Sequence, residues 1–204
     1  MIWVFITLAL LVLIYLLQTC NHLNLLHTKL SSEFDLLNTE ILKRYDMIPE
    51  VLATEANSGR IDEELKEQIV RARNLSMSAN QYVQTDPDNL DNFRLLLGAE
   101  SRLSHFMFQI LQTPVNPTIE SPSNEASPVE AAENNNKVLI SSAKDYQNAC
   151  DRFNSAVFMY NQAVMTFPAS MVATLFSFKT KIRFSPEVSP VSMENPWKLG
   201  KEES

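Results

Sequence analysis

"YQNACDRFNSAVFMYNQAVMTFP", residues 146–168, decides how this chain is read. Tyr146, Phe153, Tyr160 and Phe167 recur every seven residues. A period of seven keeps side chains on one helix face, drifting by only about 20° per repeat. Ala149, Ala156 and Ala163 stand three residues after the rings, where small side chains let a neighbouring helix approach. The amides Gln147, Asn154 and Asn161 follow the rings directly, about 100° round the helix. Such amides can bond across to a partner helix or a loop carbonyl and hold a register, as one polar position does in a coiled coil. The stretch predicts a helix from about Val138 to just before Pro168, with the aromatic edge as a packing seam. A cofactor box of aromatics is the rival reading, but no metal ligand or phosphate cradle accompanies it.

The same seam pattern appears upstream. Leu23, Leu26, Leu30, Phe34, Leu37, Ile41, Tyr45 and Ile48 are spaced by threes and fours, as in a packed helix. Pro49 lacks a backbone donor and is expected to bend or interrupt this helix, and "ANSG" at 56–59 to end it. A second helix is expected from Asp62, with acids in its first turn and Leu65, Ile69, Ala72, Leu75 and Ala79 inward. "TDPDN" at 85–89 reads as a turn and helix start. Its Asp86, Asp88 and Asp91 lack the glycine and terminal glutamate of a calcium loop, so capping is the reading taken. A third helix spans Leu90 to Gln112, with Phe93, Leu96, Leu97, Leu103, Phe106 and Ile110 inward. Residues 113–137, with four prolines and few apolar side chains, read as a disordered loop. After Pro168, "ASMVATLFSFKTKIRF" suits one or two helical turns capping a bundle, and 185–204 an extended tail.

The first twenty residues, "MIWVFITLALLVLIYLLQTC", carry no charged side chain. As a helix they measure about 30 Å, the thickness of the hydrocarbon core. Twelve of the first seventeen are Leu, Ile, Val or Phe. On the insertion scale these favour the bilayer by about 4–7 kcal/mol. Trp3 and Tyr15 lie towards the two ends, where amphipathic rings prefer to sit. A cleaved signal peptide would need a basic start and a small-residue cleavage site, and neither is visible. Nor do Gln18 and Thr19 suit lipid attachment at Cys20. The segment reads as a retained single-pass anchor, with the lipid bilayer as its partner. Lys29, Lys43 and Arg44 follow the span and none precedes it, a slight lean of the soluble part towards the cytoplasm. The fold class expected is all-α: an N-terminal transmembrane helix (1–20) running into an antiparallel four-helix bundle (21–184).

Composition supports this. Three glycines in 204 residues are too few for the turns and phosphate loops of sandwiches, barrels and dinucleotide folds. A net charge of −7 without a basic block is the wrong sign for a nucleic-acid surface. Cys20 and Cys150 form no zinc or disulfide spacing and read as buried or semi-buried thiols. His22, His27 and His105 are scattered and read as structural.

Three stretches together resemble the LemA family, bacterial membrane proteins with an N-terminal span and a helical-bundle domain. Leu42, Lys43, Arg44, Tyr45, Asp46, Met47, Ile48 and Pro49 are similar to its Lys-Arg-Arg-Tyr-Asp-Leu-Ile-Pro type motif. Ala72, Arg73 and Asn74 fall at the family's distance from that proline. Phe153, Asn154, Val157, Tyr160, Asn161, Phe167, Pro168, Ala173 and Phe178 are similar to its Tyr-Asn…Tyr-Asn…Phe-Pro signature. The chain departs from the family at Asn57, Ser58 and Ile61, at Phe153 in place of tyrosine, and in the loop at 113–137. The resemblance implies the bacterial cytoplasmic membrane and no established enzymatic activity.

The residues point the same way. No nucleophile–base set, carboxylate pair or glycine loop can be assembled. The expectation is a non-enzymatic interaction or scaffolding module without cofactor or small-molecule substrate. Its partner would be another envelope protein or a second copy. Two alternatives are a cryptic enzyme using Lys43, Arg44, Tyr45, Asp46 and Arg73, and a lipid-surface scaffold using 169–184. For those five polar residues, ion pairing and capping are the structural reading.

Overall fold

The computed structural model describes residues 1–114 and 128–186. It is all-α, with five helices and no strand among the described residues. They are α1 (Ile2–Asn57), α2 (Glu63–Thr85), α3 (Leu90–Gln112), α4 (Pro128–Met165) and α5 (Ala169–Leu175). The expected loop between 115 and 127 and the tail from 187 lie outside the described residues.

The helix ends follow local chemistry. The Asp62 carboxylate accepts from the Leu65 amide and caps α2. The Asn89 side chain accepts from the Asp91 and Asn92 amides and caps α3. α1 closes with Arg60 N–H donating to the Glu55 carbonyl and Gly59 N–H to that of Ala56. Gly59 sits at φ 65°, the left-handed position such a closure requires. α5 ends in the same pattern with Ser177 at φ 60°.

Two expectations about these helices need correction. α1 is not interrupted at Pro49, which lies inside one continuous helix. α4 begins at Pro128 and not near Val138, so 128–137 is helical and not loop. Proline suits the first helical position, and Glu130, Ala131, Ala132 and Glu133 are compatible with helix. Ala132 is fully buried.

The molecule divides into two compact units, with α1 and α4 contributing to both. The first comprises Met1–Thr39 and Gln147–Phe184. Here α1 and α4 run antiparallel. Phe34 packs on Phe153 at 5.6 Å between ring centroids, and His27 meets Tyr160 edge-on at 5.8 Å. Each seven-residue step along α4 is thus answered by a seven-residue step back along α1. Phe153 and Tyr160 are buried with Ala156, Val157 and Leu23. Phe167, expected in the same seam, is 75% exposed. It lies beyond Met165, where α4 has already ended and the heptad no longer governs direction.

The second unit contains Glu40–Tyr146. Four helical segments meet here, from α1, α2, α3 and α4. Glu55 of α1 bonds Asn135 of α4, while Tyr45 and Tyr146 both bond Glu100 of α3, so α1 and α4 run antiparallel. This is the four-helix bundle. Ile41, Ile48, Ile69, Leu96, Leu103 and Ile110 are its largest fully buried aliphatic side chains. Each contributes about 1.5–3 kcal/mol through burial. On α2, Ser76, Asn80 and Val83 are buried, whereas Leu75, expected inward, is exposed. On α3, Leu97 is only half-buried, and the inward positions include Glu100.

Candidate functional site

The polar side chains with the most specific surroundings lie inside the second unit. Glu100 is fully buried. Its Oε1 accepts from the Tyr45 hydroxyl at 2.6 Å. Its Oε2 accepts from Arg44 Nη1 at 3.0 Å and from the Tyr146 hydroxyl at 3.1 Å. Arg44 Nη2 donates to Ser104 Oγ at 3.1 Å, and the guanidinium lies 4.0 Å from the Tyr146 ring centroid. A buried carboxylate and guanidinium are tolerable only when each is paired and hydrogen-bonded, as here. Burial pushes the Tyr45 phenol far above its usual range, reinforced by the charge and hydrogen bond of Glu100. The phenol therefore stays a donor and is not available as a general base.

Pro49 joins this cluster through the backbone. A proline at 49 cannot donate to the carbonyl of residue 45. That carbonyl instead accepts from Arg73 Nε at 2.6 Å. α2 thus supplies the donor that α1 lacks, which is why the helix can continue through its proline.

A second buried pair lies in the same unit. Glu55 and the Arg60 side chain are almost wholly inaccessible, with Nη1 to Oε2 at 3.2 Å. Arg60 also donates to the carbonyls of Ile110 at 2.6 Å and Thr113 at 2.7 Å. These are final carbonyls of α3, where a cation is favoured. Asn136 accepts from Arg60, and Asn135 donates to Glu55. These two amides tie the first turns of α4 to the pair.

The first unit uses neutral amides. Asn154 Nδ2 donates to the Phe184 carbonyl at 2.8 Å, and its Oδ1 accepts from the Phe184 amide at 2.7 Å. Asn161 treats Lys181 identically, at 2.7 and 2.8 Å. The spacing has a simple origin: seven helical residues rise about 10.5 Å, and three residues of extended chain span about 10 Å. Two amides seven apart can therefore hold residues three apart on a non-helical strap. Phe184 is fully buried beneath it. Gln147, the first amide of the repeat, bonds Asp151 on its own helix.

Arg44, Tyr45, Ile48 and Pro49 from the first motif, with Arg73, are thus brought together. Lys43 pairs with Glu40 at the surface, and Asp46 and Asn74 are exposed. Phe153, Asn154, Tyr160 and Asn161 form one packed edge, while Phe167 and Pro168 are exposed. The sequence reading missed Glu100, Glu55 and Arg60. Glu100 was detectable: it stands four residues after Leu96 and three before Leu103, on the apolar face itself. Arg60 lies in a turn, where no periodicity marks it. Among the described residues no group of His, Cys, Asp and Glu could hold a metal ion. An open depression of the first unit is bordered by Lys29, Glu33 and Arg152, of which the last two pair at 2.9 Å.

Among the described residues one helix, α1, is long and apolar enough near the N-terminus to cross a membrane. No protein-family model, curated protein or solved structure matches the chain.

Proposed function

We propose that this protein is a single-pass membrane-anchored interaction or scaffolding module without catalytic activity, residing in the bacterial cytoplasmic membrane. The observation that carries this reading is the start of α1. In its most apolar 18-residue window only 6% of residues are buried, although nearly every side chain is apolar. Such a surface has no place in water and suits a hydrocarbon environment. The buried polar groups favour a structural role. Glu100, Arg44, Glu55 and Arg60 are each bonded to protein partners, which is the pattern of specificity devices in a bundle. Membership in the LemA family is part of the proposal. It rests on the three resembling stretches of sequence around Tyr45, Arg73 and Tyr160.

In-cell crosslinking and mass spectrometry of the full chain, extracted in detergent, test the reading. Recurrent recovery of one stoichiometric membrane protein, or of a second copy, is the expected result. Recovery of the full-length chain in the soluble fraction after alkaline washing of membranes would remove the anchor and the proposal with it.

A further inference from the structure

α5 has its large side chains on the wrong side for a helix in water. It buries Val172 and Ala173 and leaves Met171 and Leu175 exposed. Met165, Phe167 and Phe176, which flank it, are exposed as well. Large exposed apolar side chains grouped this closely along the chain mark contact with something other than water.

The register within the first unit says what that is. His27 stands against Tyr160 and Phe34 against Phe153. α4 runs on for five residues past Tyr160, to Met165, so its end leads from the level of His27 towards Cys20, the last residue of the apolar segment. Burial along α1 begins there too: residues 1–18 are almost all exposed, Thr19 is buried, and Leu23 is fully buried. The strap returns along α4 from this level, with Lys181 held at Asn161 and Phe184 at Asn154. The exposed Lys179 stands just before it. The exposed side chains of 165–176 therefore lie where α1 passes from hydrocarbon to water.

We propose that α5 and its two flanking turns form an interfacial element, seated in the headgroup–acyl boundary of the same bilayer that α1 crosses. Phe167 and Phe176 act as aromatic anchors of the kind enriched at that depth. Met171 and Leu175 enter the upper acyl region, and Lys179 faces the phosphates. The element gives the first unit a second point of contact with the membrane besides the apolar start of α1. It also explains why the fourth ring of the heptad leaves the seam. The inference rests on the anchor reading of α1.

The full-length chain is reconstituted in vesicles of equimolar phosphatidylcholine and phosphatidylglycerol. Single cysteines at Leu10→Cys, Leu175→Cys or Leu36→Cys, in a Cys20→Ser, Cys150→Ala background, carry an environment-sensitive fluorophore. Lipids with quenchers near the headgroup or near the chain end report depth. The label at 175 should be blue-shifted and lose more emission to the shallow quencher than to the deep one. The label at 10 should lose more to the deep quencher, and the label at 36 should respond to neither. An unquenched label at 175 beside a quenched label at 10 overturns the interfacial placement and leaves the anchor standing. If that label is also shielded from aqueous iodide, protein covers the face instead of lipid. Stronger quenching at 175 by the deep probe would make α5 an inserted element, which also overturns the placement. An unquenched label at 10 removes the anchor and this inference together.

Discussion

The two units share α1, α4 and the heptad of α4, yet they solve the packing problem with different chemistry. In the second unit the first ring of the repeat, Tyr146, faces a buried carboxylate and guanidinium. In the first unit the next two rings, Phe153 and Tyr160, meet rings of α1, and the polar work is left to neutral amides. Charges demand partners at every lone pair and are severely penalised when one is lost. Amides and rings carry smaller penalties and depend on fit. The second unit should therefore break sharply at single polar positions, and the first should loosen step by step.

The largest expected effect is Glu100→Ala. It strands Arg44 in the core, and loss of one partner of a buried pair costs about 3–5 kcal/mol. Urea denaturation of the full chain in detergent reads this. A loss below one kilocalorie would show that the pair is hydrated. Tyr160→Ala comes next, at about 3–4 kcal/mol for a buried aromatic ring. If it proves as harmless as a surface change, the seam is not the core of the first unit. Arg73→Ala should cost about 1.5–3 kcal/mol by orphaning the Tyr45 carbonyl. In Pro49→Ala/Arg73→Ala the helix can bond that carbonyl itself, so the double variant should recover about 1 kcal/mol relative to additivity. Strict additivity would refute the link between proline and arginine.

Smaller effects are expected at the strap. Asn154→Ala or Asn161→Ala removes two neutral hydrogen bonds, worth about 1–2 kcal/mol in total. Hydrogen exchange should speed up at the Phe184 amide in the first variant and at the Lys181 amide in the second. Unchanged protection would mean that the strap is held by Phe184 packing alone. The smallest effect at neutral pH is the titration of Tyr45. Its phenol is held protonated in the fold, so the folded chain binds that proton more tightly than the unfolded chain. Stability should hold below about pH 10 and then fall by about 1.4 kcal/mol per pH unit. Tyr45→Phe should remove this extra slope from the urea midpoints, and an equal slope in both proteins would place the phenol in solvent.

Much of the fold was legible because it is periodic. The bounds of α3 agree with the sequence reading at both ends. The seam from Leu23 to Ile48 is buried except at the half-buried Phe34. Asn154 and Asn161 bond loop backbone, as the amide spacing suggested. The misreadings share one cause. Pro49 reads as a bend or a break, and the asparagine-rich start of α4 as a loop, because local rules assign the backbone's hydrogen bonds only to neighbours in sequence. Leu75 and Phe167 were placed inward by period alone, which says nothing about where the packing partner ends.

The all-helical character, the apolar segment at the N-terminus and the heptad edge of α4 can all be read from the residues in order. These follow from the repeat lengths of a helix and the thickness of a bilayer, which any chain obeys locally. Where the exceptions are satisfied emerges only from packing in three dimensions. Arg73 answers the carbonyl freed by Pro49, Glu100 gathers a guanidinium and two phenols, and Asn135 and Asn136 secure the start of α4. Each of these partners lies more than 25 residues away in sequence, and a polar group's need for a partner does not specify which distant residue will meet it.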